Sequence, residues 1–248
     1  MLTDVSRSCH IMQSPLLKRV LGSSLYTRYC VLPELHRRFR GMSVTDAFRE
    51  IYASKMWGSS GESFCSGDGS RGLAAEAYAG LIRDVIRKEG VGVVADLGCG
   101  DFQIGSRLLQ ENPIEYIGVD VVPELVQHLN ARFRNERVRF ECRDMGCGPL
   151  PKADLCLVRQ VLQHLSNAQI ARVLANVVAQ YPVVIISEHV PRVPKKINRD
   201  KPQGPDVRAY FGSGVFVDQP PFCYKVERVW DTPLEEDAVL RTALIRNP

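Results

Sequence analysis

The residues whose types and spacing are best suited to chemistry are Asp96, Gly98, Cys99 and Gly100, which close the run Val93-Val94-Ala95. Glycines one residue apart let the backbone take φ > 0 and approach a ligand with no Cβ in between. A helix starting behind such a turn offers unpaired N–H groups to a carboxylate or phosphate. At the carboxyl end of a strand, this combination predicts a doubly wound α/β sheet holding a nucleotide-like cofactor. A dinucleotide fingerprint needs a third glycine at 103; Gln103 stands there, which argues against NAD and flavins.

Two further acids follow apolar runs. Asp120 ends 115–119 and lies 24 positions after Asp96, near the roughly 20-residue spacing expected of a ribose-binding carboxylate. With Pro123 behind it, the same residue is suited to capping a helix, and both roles are compatible. Asp144 ends the run 138–143, where a turn aspartate is common. A fourth run, 153–158, leads into Arg159, Gln160 and His164, and a fifth into Ser187-Glu188-His189. A hydroxyl acceptor must lose its proton, most often to histidine, so His164 and His189 are the candidate catalytic groups. Either is also explained as a hydrogen-bonded turn residue. Arg159 suits a carboxylate of donor or substrate, or a surface ion pair.

The pattern Asp96-x-Gly98-x-Gly100 resembles motif I, D-x-G-x-G, of the class I S-adenosylmethionine (SAM) dependent methyltransferases. The resemblance implies SAM as cofactor and a seven-stranded, mostly parallel Rossmann-like sheet completed by an antiparallel hairpin. It implies that Asp120 takes the ribose and Asp144 the adenine amino group. Met145 would lie on one side of the ring, with Val121 and Val122 on the other. Trp57-Gly58, Ser66-Gly67-Asp68-Gly69-Ser70, Asp96–Asp101, Val161–Asn167 and Pro220-Pro221-Phe222 further resemble a bacterial-type group carrying W-G, S-G-x-G-S, D-L-G-C-G-D, V-L-Q-H-L-S-N and P-P-F. In that group an arginine precedes P-P-F; here the stretch reads Gly212-Ser213-Gly214-Val215-Phe216-Val217-Asp218. Trp57 and the Ser66–Ser70 loop are suited to closing over the methionine end of SAM, where an aromatic face attracts a sulfonium. A packing Trp beside a flexible linker explains the same residues.

These residues predict methyl transfer to a small-molecule or glycan-like acceptor, at oxygen and without a metal. A protein side chain as acceptor, a non-catalytic SAM-binding module docked to a membrane or partner, and a nicotinamide-dependent oxidoreductase are the competing readings.

The elements that must hold these residues read as an alternation. Helices are expected at 73–88, 103–110, 123–134 and 167–180, the last with a Ser166/Gln169 capping box. Strands are expected at 91–96, 115–120, 137–143, 153–158, 182–187, 224–231 and 239–246. The alternation implies a parallel sheet with helices on both faces. Residues 1–45 read as a basic N-terminal extension and 46–248 as the catalytic domain. Within it, 46–90 form a cap and first helix, and 190–222, rich in proline and charge, a substrate lid.

The charge is uneven. Residues 1–41 hold seven Lys/Arg and two acids, leaving 25 basic and 26 acidic residues in the rest. The body therefore lacks the basic balance of nucleic-acid enzymes. Leu16, Leu17, Val20, Leu21 and Leu25 with Lys18 and Arg19 form a short amphipathic pattern. It suits weak membrane-surface contact, organelle targeting, or packing on the domain itself. No apolar run reaches the 18 or so residues of a membrane span. The eight cysteines show no zinc or radical-SAM spacing and are read as reduced, which points to the cytoplasm.

Overall fold

The computed structural model describes residues 31–59, 63–110, 112–235 and 237–247. The amphipathic pattern at 16–25 and most of the 1–41 segment therefore lie outside the described residues.

Seven strands form one sheet in the order β3-β2-β1-β4-β5-β7-β6. They are β1 Val93–Leu97, β2 Glu115–Asp120, β3 Val138–Cys142, β4 Leu155–Arg159, β5 Val183–Pro191, β6 Arg228–Glu235 and β7 Ala238–Arg246. Pairs β1·β2, β1·β4, β2·β3 and β4·β5 are parallel. β7 inserts antiparallel between β5 and β6. The helices are α1 Leu32–Phe39, α2 Val44–Ala53, α3 Gly72–Glu89, α4 Gln103–Leu109, α5 Pro123–Phe133 and α6 Asn167–Gln180. This is the doubly wound, mostly parallel seven-stranded sheet that the sequence predicts.

Local chemistry accounts for most boundaries. β1, β2 and β4 are near-continuous apolar runs because helices cover both faces of the parallel sheet. α3 ends where Gly90 turns left-handed, its N–H reaching the Ile86 carbonyl. α6 starts in a capping box: the Ser166 side chain accepts from Gln169 N–H, and the Gln169 side chain accepts from Ser166 N–H.

Two strands differ from the sequence expectation by more than two residues at an end. β5 continues to Pro191 because β7 pairs with all nine of its residues. His189 therefore sits inside β5 opposite Leu240, rather than in a turn after it. β6 begins at Arg228, since the preceding stretch runs back toward residue 217, where Tyr224 N–H donates to the Val217 carbonyl.

α1 is the described end of the expected 1–45 extension. Phe39 is buried, and His36 Nε2 lies 3.1 Å from Asp206 Oδ2. The 190–222 segment is densely bonded. Asn198 donates to the carbonyls of Phe216 (2.8 Å) and Pro220 (2.9 Å), and the buried Arg208 donates to those of Arg199 and Leu165. Among the described residues no helix is long and apolar enough to cross a membrane.

Candidate active site

A cleft of about 270 Å³ opens where the carboxyl ends of β1, β2 and β4 meet, the crevice that an open α/β sheet offers to ligands. Asp96, Gly98, Cys99 and Gly100 line its floor. Asp120, Val121, Asp144 and Met145 line one side, with Arg159, His164 and Trp57 closing the other. Ten of the eleven residues expected to touch the cofactor, Cys99 among them, thus converge on one cavity. Val122 does not: it is 1% exposed and packs into the core, its N–H donating to Asp120 Oδ1 at 3.1 Å.

The glycine turn is shaped by its neighbours. Gly98 has φ +79° and Gly100 φ +55°. A Cβ on Gly98 would sit 2.4 Å from Val161 Cγ2, and one on Gly100 2.3 Å from Ser66 Oγ. The Ser66–Ser70 loop is fastened to this turn. Ser66 N–H donates to Asp101 Oδ2 (3.1 Å), and Asp101 N–H returns to Ser66 Oγ (2.8 Å). Arg71 adds an ion pair to Asp101 at 3.2 Å. Sequence reading noticed the loop and missed Asp101, because a pairing across 35 positions leaves no periodic trace.

The acids are buried and electrostatically costly. Asp96 accepts the Tyr116 hydroxyl at 2.6 Å. Desolvation nevertheless pushes its carboxyl up to about 6. Asp120 accepts N–H groups from Gly100 (3.2 Å) and Val122 (3.1 Å), joining the ends of β1 and β2. Desolvation raises it to about 6 as well. Asp144 Oδ1 accepts from Gly146 N–H at 2.7 Å, the turn role that the sequence also allowed.

Arg159, the last residue of β4, donates to the Gly69 carbonyl at 2.5 Å and lies 4.9 Å from the Tyr78 ring centre. Its Nε is buried without a hydrogen-bond partner. A buried guanidinium among the residues of the cleft wall suits the carboxylate of an amino-acid tail. Together with a turn too tight for any Cβ, it makes the cleft fit an amino-acid-bearing nucleoside.

Residues 94–180 match the family model of a methyltransferase domain. This stretch is a methyltransferase domain. Its cofactor is S-adenosylmethionine. No curated protein matches the chain. Among solved structures it is similar to human N-acetylserotonin methyltransferase in complex with SAM, at 15% identity and TM-score 0.52, covering 91% of this chain and 70% of that one. It is also similar to the N-methyltransferase NodS of Bradyrhizobium japonicum in complex with S-adenosylhomocysteine, at 16% identity and TM-score 0.53, covering 70% and 86%. At these identities the likeness is one of fold.

A second cavity of about 1360 Å³ adjoins the cleft of the methyltransferase. The two share Trp57, Ser66, Gln160 and His164 on their walls. His189 lines only the second, so the two histidines do not meet in the cofactor cleft. The Trp57 and His164 ring centres are 4.9 Å apart, and Trp57 Nε1 donates to the Pro205 carbonyl at 3.2 Å. His164 Nε2 lies 3.4 Å from Gln163 Nε2, an amide nitrogen that can only donate. With the ring proton on Nδ1, which is buried without a hydrogen-bond partner, Nε2 accepts from that amide. Burial, reinforced by the nearby Lys201 charge, pushes His164 down to about 4. Among the described residues no cluster of His, Cys, Asp or Glu could hold a metal ion.

Proposed function

We propose that this methyltransferase modifies a hydroxyl of a small-molecule or glycan-like acceptor that reaches the cofactor cleft from the second cavity. The observation that carries the reading is the wall common to both cavities, with His164 on it. Arg159 would hold the donor's carboxylate, Asp120 its ribose hydroxyls and Asp144 its adenine amino group, with Val121 and Met145 against the ring. The donor supplies a methyl carbon already activated by a sulfonium. The protein's task is then mainly orientation, which can lower a barrier by several kcal/mol.

A base of pKa about 4 is too weak to ionise an alcohol beforehand. It suffices late, because a hydroxyl turns strongly acidic as its oxygen forms a third bond and gains oxonium character. In this reading the acceptor hydroxyl replaces the Gln163 amide at Nε2, and His164 takes the proton as the new C–O bond forms and the sulfonium C–S bond breaks, with S-adenosylhomocysteine leaving. His189 contributes to acceptor binding in the second cavity.

The test is transfer of labelled methyl from SAM into fractionated metabolites and glycans, comparing the native chain with His164→Asn. Incorporation that falls in the variant while cofactor affinity holds supports the reading. Tight S-adenosylhomocysteine binding with no labelled fraction would favour a non-catalytic SAM-binding module. Label confined to protein would move the acceptor to a side chain.

A further inference from the structure

Glu188 lies in β5, is 1% exposed, and reaches across to the turn that leaves β4. One carboxylate oxygen accepts the N–H of Leu162 at 2.8 Å, the other the N–H of Gln163 at 3.1 Å. These donors open the single 3₁₀ turn Leu162–His164, where so short a helix has no partners of its own to give them. The rest of the turn is held from the same directions. Gln160 N–H donates to the Ser187 carbonyl at 2.7 Å, and the His164 carbonyl accepts from Gly204 N–H at 3.0 Å. The Gln163 amide nitrogen in turn lies 3.4 Å from His164 Nε2.

We infer that Glu188 is a positioning residue for His164, clamping the turn so that the imidazole stays on the wall between the two cavities. This rests on the reading that His164 meets the acceptor. Each carboxylate oxygen takes one of the two adjacent N–H groups; in the same pose a glutamine offers one oxygen and turns an NH₂ toward the other donor. A buried carboxylate is also expensive. Desolvation raises Glu188 to about 7, against the pull of the N–H groups it accepts and the Arg208 charge. The fold retains this charge at a place that lines neither cavity.

The experiment uses the full chain as Glu188→Gln and His164→Asn. Three quantities are read: S-adenosylhomocysteine affinity by calorimetry, the ring-nitrogen NMR signals of His164, and methyl transfer into the fraction that the native chain labels. Glu188→Gln is expected to keep the affinity within about twofold, shift the His164 ring signals, and slow transfer by about tenfold or more, as small misplacements do. Unchanged ring signals with full transfer overturn the clamp. Loss of affinity in parallel with transfer also overturns it, since the residue would then serve the cofactor cleft. Full transfer by His164→Asn overturns the acceptor reading itself, and this role with it. Should Glu188→Gln fail to fold, Glu188→Asp keeps a carboxylate one methylene shorter and is judged by the same outcomes.

Discussion

Asp96 is predicted to weaken the fold that it helps to make functional, and Asp96→Asn should expose this. The carboxyl is buried, and desolvation lifts it from 3.8 to about 6. An acid with a raised folded pKa favours the native state while protonated. Its stability contribution is lost as pH climbs from 3.8, where the unfolded chain ionises, to about 6, where the folded one does. Above that window the penalty is constant, at about 3 kcal/mol for roughly two pK units. Asparagine is nearly isosteric and still accepts the Tyr116 hydroxyl, but it buries an amide N–H at a cost of about 1 kcal/mol. The net expectation is a gain of about 2 kcal/mol at pH 8. At pH 4.5 only about 1 kcal/mol of the penalty has developed, so the two effects should nearly cancel. Urea denaturation of both proteins at the two pH values measures this directly. A variant less stable than the native chain at pH 8, or an equal difference at both pH values, would refute the reasoning. The charge persists beside Arg159 on the cleft wall, as expected where function opposes stability.

Asp120→Ala should weaken S-adenosylhomocysteine binding by 1.5–3 kcal/mol, roughly 10- to 150-fold, as lost charged hydrogen bonds do. Native affinity should also rise as pH passes through about 6, where Asp120 ionises; calorimetry showing a flat profile from pH 5 to 8 counts against the ribose role. Gly98→Ala should abolish cofactor binding, because φ +79° and a Cβ 2.4 Å from Val161 leave it no room; retained binding would show that the turn can relax. Asp206→Ala strands the buried Lys201, whose Nζ lies 3.3 Å from Asp206 Oδ1. Breaking such a pair costs about 3–5 kcal/mol. With Lys201 already lowered to about 8, the loss should be larger at pH 6 than at pH 9, and a denaturation series with no such trend would contradict it.

Where a feature depends on neighbours in the chain, the residues announced it. The strand Glu115–Asp120 and the helix Asn167–Gln180 were legible to the residue, because apolar periodicity and the Ser166/Gln169 cap act within a turn or two. The full length of β5 was hidden, since its last residues owe their strand conformation to β7, about fifty positions on. That extension moved His189 into the sheet and away from the cofactor cleft.

Sequence by itself pointed to the cofactor class and to the acids that line the cleft, because parallel strands bring their carboxyl ends to one crevice. Only the tertiary structure decided which histidine faces that crevice, that Ser66 and Asp101 hold the loop to the glycine turn, and that Glu188 braces the turn bearing His164. Those outcomes depend on desolvation and on pairs far apart in the chain. Burial moved His164 to about 4 and Glu188 to about 7, and no spacing of letters carries the dielectric that a side chain will meet.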